Sequence, residues 1–373
     1  MAEYWIPYSD VELMVELPSE KVAWTINRLS ISLDVGKKLG NLMDKLEEPL
    51  TVILDPRIEL QNINRLISTF LESFEKIEFM YPSSPPIYFY SPNDLLTYFP
   101  AIHLLPPGGF QVYRTELGFK LELPKFLSEK RNILLLSKFS PNPIYVFSGL
   151  DLLPSYMASE NSFPHFLRAL SKFRGKLSPI DFWLQCIPDN LSMLWMPVVS
   201  NSEGIYGVKL TSLDSSLSIA IQEFEKALWR TSKEVGLLIV GSGHPYDYTF
   251  QYILQVLLLS LEVLHKDGYL VIAAECERGF GDLLYNSLIN SKGGSLKPNT
   301  VIDLYLDMFM KMREGFNISL VSVLPNFYLR RLLRLSAHLT LQDAVGRRYN
   351  IVENVGILCD GFNISPTSFP KYI

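Results

Sequence analysis

Residues 235–282, VGLLIVGSGHPYDYTFQYILQVLLLSLEVLHKDGYLVIAAECERGFGD, constrain the fold more than any other stretch of the chain. Residues 235–240 form an apolar run of strand length closed by Gly241-Ser242-Gly243, and 269–274 form a second run closed by Gly279 and Gly281. The residues between them, 248–265, are apolar on nearly every face, the pattern of a buried helix. Two parallel strands need such a crossover, so the stretch is expected to be a βαβ unit. Units of this kind place ligands at the carboxyl ends of their strands, where both glycine turns fall. Backbone geometry alone accounts for the glycines equally well.

A chain of 373 residues exceeds one ordinary domain, so two domains with separate cores are expected. We place the first over 1–231, with 346–373 returning to it, and the second over 232–345. The fold class is α/β, with mixed or parallel sheets flanked by helices. A net charge of −5 leaves no basic field to attract nucleic acid or an anionic membrane. Cys186, Cys276 and Cys359 lie far apart without a CxxC pair, which argues against a disulfide framework or a zinc knot. The acidic first twenty residues do not resemble an export signal, and the longest apolar segment, 250–264, is too short to span a bilayer. A cytoplasmic protein is expected.

In chain order, 3–18 reads as a hairpin, 36–46 as a polar helix, 50–54 as a buried strand ending in Asp55-Pro56-Arg57, and 61–79 as an amphipathic helix. Proline patches at 81–86 and 105–109 read as turns. A strand at 132–136 leads to a loop and the Ser148-Gly149 turn. A helix is expected to Phe173 with His165 near its start, then a strand pair at 181–187 and 191–199 around a turn at 188–190. Helices follow at 215–230 and 301–313, and a strand at 318–323.

No nucleophile elbow, phosphate loop or paired metal-ligand motif occurs. His103, His165, His244, His265 and His338 show no spacing that puts two on one helix face. His103 is expected to be packed or on the surface, and His265 to end a helix, where a cationic ring is favourable. The most site-like cluster is Gly243-His244-Pro245-Tyr246-Asp247, where a glycine turn exposes amides beside an imidazole and a carboxylate. His244 is the candidate acid–base group. Asp247 reads either as part of that site or as the N-cap of the helix that follows.

Taken together, these segments resemble the nickel-dependent lactate racemase family of 2-hydroxyacid racemases and epimerases. The likeness rests on Gly243-His244-Pro245-Tyr246-Asp247, Lys266-Asp267-Gly268-Tyr269, Ala274-Glu275-Cys276-Glu277-Arg278-Gly279-Phe280-Gly281, and the opening Ile6-Pro7-Tyr8 with Val15-Glu16-Leu17-Pro18. It implies a two-domain α/β protein with its site in a cleft between domains. It also implies a lysine-tethered nickel pincer nucleotide, with a 2-hydroxy acid inverted by hydride and proton transfer. Carried over residue by residue, Asp55, Arg57, Ser148 and Gly149 fall at cofactor-binding positions, His165 at the nickel ligand, and Tyr252 and Gln255 at the substrate contacts.

Asn142 falls where the family has a histidine, and Asp151 or Leu152 where it has the tethering lysine. No histidine stands in 80–86. These departures imply that racemisation is altered or lost, with a non-catalytic binding or partner protein as the alternative. A small 2-hydroxy acid or another small ligand is the expected partner.

Overall fold

The structure, a computed structural model, describes residues 1–29, 35–82, 92–99, 102–105, 109–130, 132–159, 161–173, 176–188, 191–213, 217–230, 232–290, 300–346 and 348–369. Most of both proline patches, the turn at 189–190 and the proposed boundary at Thr231 lie outside these residues. The chain divides into two compact units: Met1–Leu29 with Pro141–Ile144 and Ala227–Ser368, and Ser30–Ser140 with Tyr145–Lys226 and Phe369–Ile373.

The first unit is built on a parallel sheet. Its strand order is Ser336–His338, Asn317–Val321, Leu264–Ala273, Val235–Gly241, Val355–Leu358, Val22–Ile26. Val235–Gly241 is buried along its whole length because it is covered on both faces, which is why it reads as a continuous apolar run. On one face Leu237, Ile239 and Val271 pack against Ile6, Val15 and Leu17 of the N-terminal hairpin and Leu341, Ala344 and Val345 of a short helix. Each such buried side chain stabilises the fold by roughly 1.5–3 kcal/mol relative to exposure. The crossover helix, Phe250–Leu261, is buried at every position. Val256 of this helix and Val240 of the strand both border Gly361.

The second unit repeats the logic. Its main sheet runs Gly204–Val208, Met193–Asn201, Asn132–Lys138, Leu50–Leu54, Ile77–Pro82, Ile102–Leu105, parallel except where Gly204–Val208 and the short Thr211–Ser212 pair antiparallel with Met193–Asn201. The chain leaves Leu50–Leu54 in one direction and returns on its other side at Asn132–Lys138. These two neighbours are therefore the topological switch point, and their carboxyl ends are the ligand position such sheets favour.

Several expectations need correction. Residues 181–187 are not a strand: Pro179–Cys186 is a helix, with Pro179 in its first turn and Ser178 Oγ accepting from the Asp181 amide. The helix expected over 61–79 ends at Ser73, and Ile77–Pro82 is a strand. The crossover helix ends at Leu261, so His265 lies in the Leu264–Ala273 strand, with Nε2 3.9 Å from the Glu234 carboxylate. The chain after Gly346 was expected to return to the first domain, but Val355–Leu358 sits between Val235–Gly241 and Val22–Ile26, within the unit of Ala227–Ser368. That pairing also draws residues 1–29 into the unit of Ala227–Ser368.

Candidate functional site

At the switch point of the second unit, Asp55 directly follows Leu50–Leu54 and Lys138 ends its neighbouring strand. Pro56 restricts the chain here, and the turn brings Arg57 back over Asp55: Arg57 N and Nε donate to Asp55 Oδ1, both at 2.9 Å, and Nη2 donates to Oδ2 at 2.7 Å. The guanidinium then reaches Asp151, with Nη1 to Oδ2 at 2.7 Å and Nη2 to Oδ1 at 3.0 Å. Asp151 Oδ1 also accepts the Gly149 amide at 2.7 Å. Gly149 holds φ at 123°, and a Cβ there would lie 3.0 Å from Ser137 Oγ and from the Trp195 ring, so the turn needs glycine.

Four residues carried over as cofactor contacts, Asp55, Arg57, Ser148 and Gly149, thus come together. Ser148 donates its amide to Ser140 O at 2.8 Å. Asp151, one of the two residues at the expected tether position, joins Arg57 to the Gly149 turn. All three charged groups are buried. Burial pulls the Arg57 pKa down, but Asp151 and then Asp55 outweigh it and raise it well above its ordinary value. The Tyr156 ring lies 4.6 Å from the guanidinium carbon and covers it.

A second ion pair backs the first. Lys138 donates its amide to Asp55 Oδ2 at 3.1 Å, while its fully buried ammonium pairs with Glu59 and donates to Ser200 O at 2.7 Å. Glu59 Oε2 also accepts Ser200 Oγ at 2.6 Å and Asn62 Nδ2 at 2.7 Å. Lys138 is the lysine beside Asp55, and its amine is committed to this network. Sequence reading missed Glu59, Lys138 and Tyr156. The spacing from Asp55 and Arg57 to Glu59 was the available signal.

In the other unit the glycine turns form a separate polar knot. His244 Nε2 lies 2.7 Å from Tyr248 Oη, with Asp10 Oδ1 3.8 Å from Nδ1, and Arg278 stacks 4.2 Å from the Tyr248 ring centre. Asp247 is not the N-cap. Thr249 holds that position, and the first helical amides, Phe250 N and Gln251 N, donate to Gly279 O and Phe280 O, each at 3.0 Å. The helix end is thereby closed by backbone, so it offers these amides to no ligand.

Asp247 Oδ2 instead accepts the Ser9 amide at 2.7 Å and the Glu275 amide at 3.3 Å, tying the hairpin turn to the loop after Leu264–Ala273. Burial raises the Asp247 pKa against these two hydrogen bonds. Nearby, the Tyr8 hydroxyl is pushed up to about 12 by burial, with Glu275, Cys276 and Asp247 adding to the rise. The two residues carried over as substrate contacts, Tyr252 and Gln255, are both buried in the crossover helix, where Gln255 Nε2 donates to Pro141 O at 2.8 Å.

His165 lies in the first turn of Phe163–Phe173, its amide bonded to Ser162 O at 3.0 Å. His103 is exposed on the Ile102–Leu105 strand. Among the described residues no group of three or more His, Cys, Asp or Glu side chains is placed to hold a metal ion. Among the same residues no helix is long and apolar enough to cross a membrane.

The two units define an α/β protein with parallel and mixed sheets flanked by helices. Among solved structures it is similar to the lactate racemase apoprotein from Thermoanaerobacterium thermosaccharolyticum. The two superpose with a TM-score of 0.71 at 14% identity, over 97% of this chain and 99% of that one. The shared property is the fold. No protein-family model matches the chain, and no curated protein matches it in sequence.

Proposed function

We propose that this chain is a non-racemising protein on the lactate racemase fold, acting as a binding or partner protein rather than inverting a 2-hydroxy acid through a tethered nickel pincer nucleotide. The single observation that carries the reading is the pairing of Arg57 with Asp151. A covalent tether of that family needs a lysine amine; of the two residues that align with it, Asp151 is a buried carboxylate bonded to a guanidinium and to the Gly149 amide, and Leu152 is aliphatic. A carboxylate so engaged supplies no amine, and Lys138 is held by Glu59 and Ser200. The residues present do not fit the group, so no reaction step is drawn through it.

Nor does the other unit offer the cationic substrate contacts of an active enzyme. Tyr252 and Gln255 are neutral, and a hydrogen bond to a carboxylate is roughly twice as strong when the donor is charged. The His244–Tyr248 pair remains a proton-carrying couple for other chemistry. The test is direct. Protein purified from a host that makes the pincer nucleotide is incubated with L-lactate, and chiral chromatography is expected to show no D-lactate above a host blank. Accumulation of D-lactate in proportion to protein would overturn the reading.

A further inference from the structure

The amino-terminal end of the first unit's sheet, opposite its glycine turns, carries a cavity of about 280 Å³ lined by Arg313, Glu314, Phe316, Ile318, Arg334 and Leu335. Its size falls just below the roughly 300–1,000 Å³ of small-molecule sites, so it suits a small ligand or one end of a larger one. Two of the six lining residues are arginines, in a chain whose net charge is −5.

Three observations bear on what the cavity takes. Arg313 is anchored through Nη1, which donates to Leu333 O at 2.6 Å, while its buried Nε has no acceptor among the described residues. That hydrogen bond fixes the guanidinium group beside the cavity. Arg334 stands at φ 54°, ψ 37°, the left-handed conformation, immediately before the Ser336–His338 strand. Arg334 ends the helical turn Leu329–Leu333, where a left-handed residue is common and glycine meets the conformation most readily. Among the described residues Arg334 has no ion-pair partner, and it repels Arg313, whose pKa is lowered by burial first and by Arg334 second. Glu314 opposes that shift, yet two guanidinium groups against one carboxylate leave the lining net positive.

We infer that Arg313 and Arg334 form a binding site for a phosphate group, with their two guanidinium groups as donors and Phe316, Ile318 and Leu335 as an apolar wall. Arginine forks match the tetrahedral oxygens of phosphate, and an anion between the two guanidinium groups removes their repulsion. The site does not rest on the Arg57–Asp151 reading, because its residues belong to the other unit. The phosphate is either the free ion or one end of an organic phosphate ester resting on the apolar wall.

Arg334→Gly removes the charge and leaves a residue that favours the same backbone conformation, so loss of binding is separable from loss of fold. Isothermal titration of the full chain with inorganic phosphate and, separately, phenyl phosphate, at matched ionic strength in chloride, gives the answer. Saturable binding is expected in the parent, weakened about tenfold or more in Arg334→Gly and in Arg313→Met, since each variant removes a charge-assisted donor. Equal affinities for the two probes identify the free ion, and tighter phenyl phosphate identifies an ester. No saturable binding of either probe, or equal binding by the parent and a folded Arg334→Gly, would overturn the site.

Discussion

Arg57 and Asp151 stand 94 residues apart in sequence and share two hydrogen bonds, of 2.7 and 3.0 Å, at the carboxyl ends of the strands that flank a topological switch point. The same guanidinium holds Asp55. One cation therefore pairs with two buried carboxylates, and each position responds differently to change. Arg57→Met leaves both acids buried without it and is expected to cost about 3–5 kcal/mol. Asp151→Asn keeps an acceptor for Gly149 and leaves Arg57 paired with Asp55, so it is expected to cost clearly less. Urea unfolding of the two variants gives the order, and an equal or reversed order would show that the three groups do not act as described.

Installing the lysine itself tests the same geometry from the opposite side. Asp151→Lys sets an ammonium against Arg57 in a site without solvent, and like charges there repel strongly. The variant is expected to unfold at lower urea than Asp151→Asn and to acquire no cofactor. A stable Asp151→Lys protein would mean that the side chain at 151 escapes the network.

Lys138 and Glu59 make a sharper case, because both are buried and each has neutral partners besides the other. Lys138→Met and Glu59→Met singly are each expected to cost about 3–5 kcal/mol, since each leaves a lone buried charge. The double variant is expected to be more stable than either single one. A double-mutant cycle checks this, and simple additivity would exclude the pairing.

Gly241 closes the best-buried strand. A Cβ there would come within 2.4 Å of Pro7 O and 2.7 Å of Ile6 Cγ2, so Gly241→Ala must push the hairpin away from the sheet. A loss of about 1–3 kcal/mol is expected, of the order seen for overpacking. Amide hydrogen exchange should quicken first in Ala2–Tyr8. Unchanged exchange in that strand would refute the packing assigned to it.

Tyr8 supplies a pH signature. Its folded pKa, about 12, lies above the ordinary 10.0. The neutral phenol is therefore favoured by the fold, and the unfolded chain ionises first. Stability is unaffected below pH 10 and falls as pH rises from 10 towards 12. Tyr8→Phe should remove that part of the alkaline decline. Asp247→Asn should lower the Tyr8 pKa by removing one of the negative neighbours, as read by ultraviolet titration of the phenolate.

Sequence legibility followed local chemistry. Val235–Gly241 and Phe250–Leu261 were readable because burial on both sides forces unbroken apolar runs. The four-residue strand Val355–Leu358 was not, since so short a run has no periodicity to distinguish it from a loop. Pro179–Cys186 was misread because its apolar residues outweighed the Ser178-Pro179-x-Asp181 start signal. Asp55, Arg57, Ser148 and Gly149 were singled out by likeness to a family motif, and the structure brings them together. The contact that gives them meaning, Arg57 to Asp151, arises from chain return across the sheet, which no local pattern encodes. Asp247 was read either as part of a site or as a helix cap, and the backbone of Gly279 and Phe280 closes the helix instead.

The chain has the lactate racemase fold, and we propose that it carries no tethered nickel pincer nucleotide. The most direct measurement is nickel content together with intact mass on protein purified from a host that makes the pincer nucleotide. The account expects the mass of the unmodified chain and nickel far below one per chain. A covalent adduct with stoichiometric nickel would contradict it.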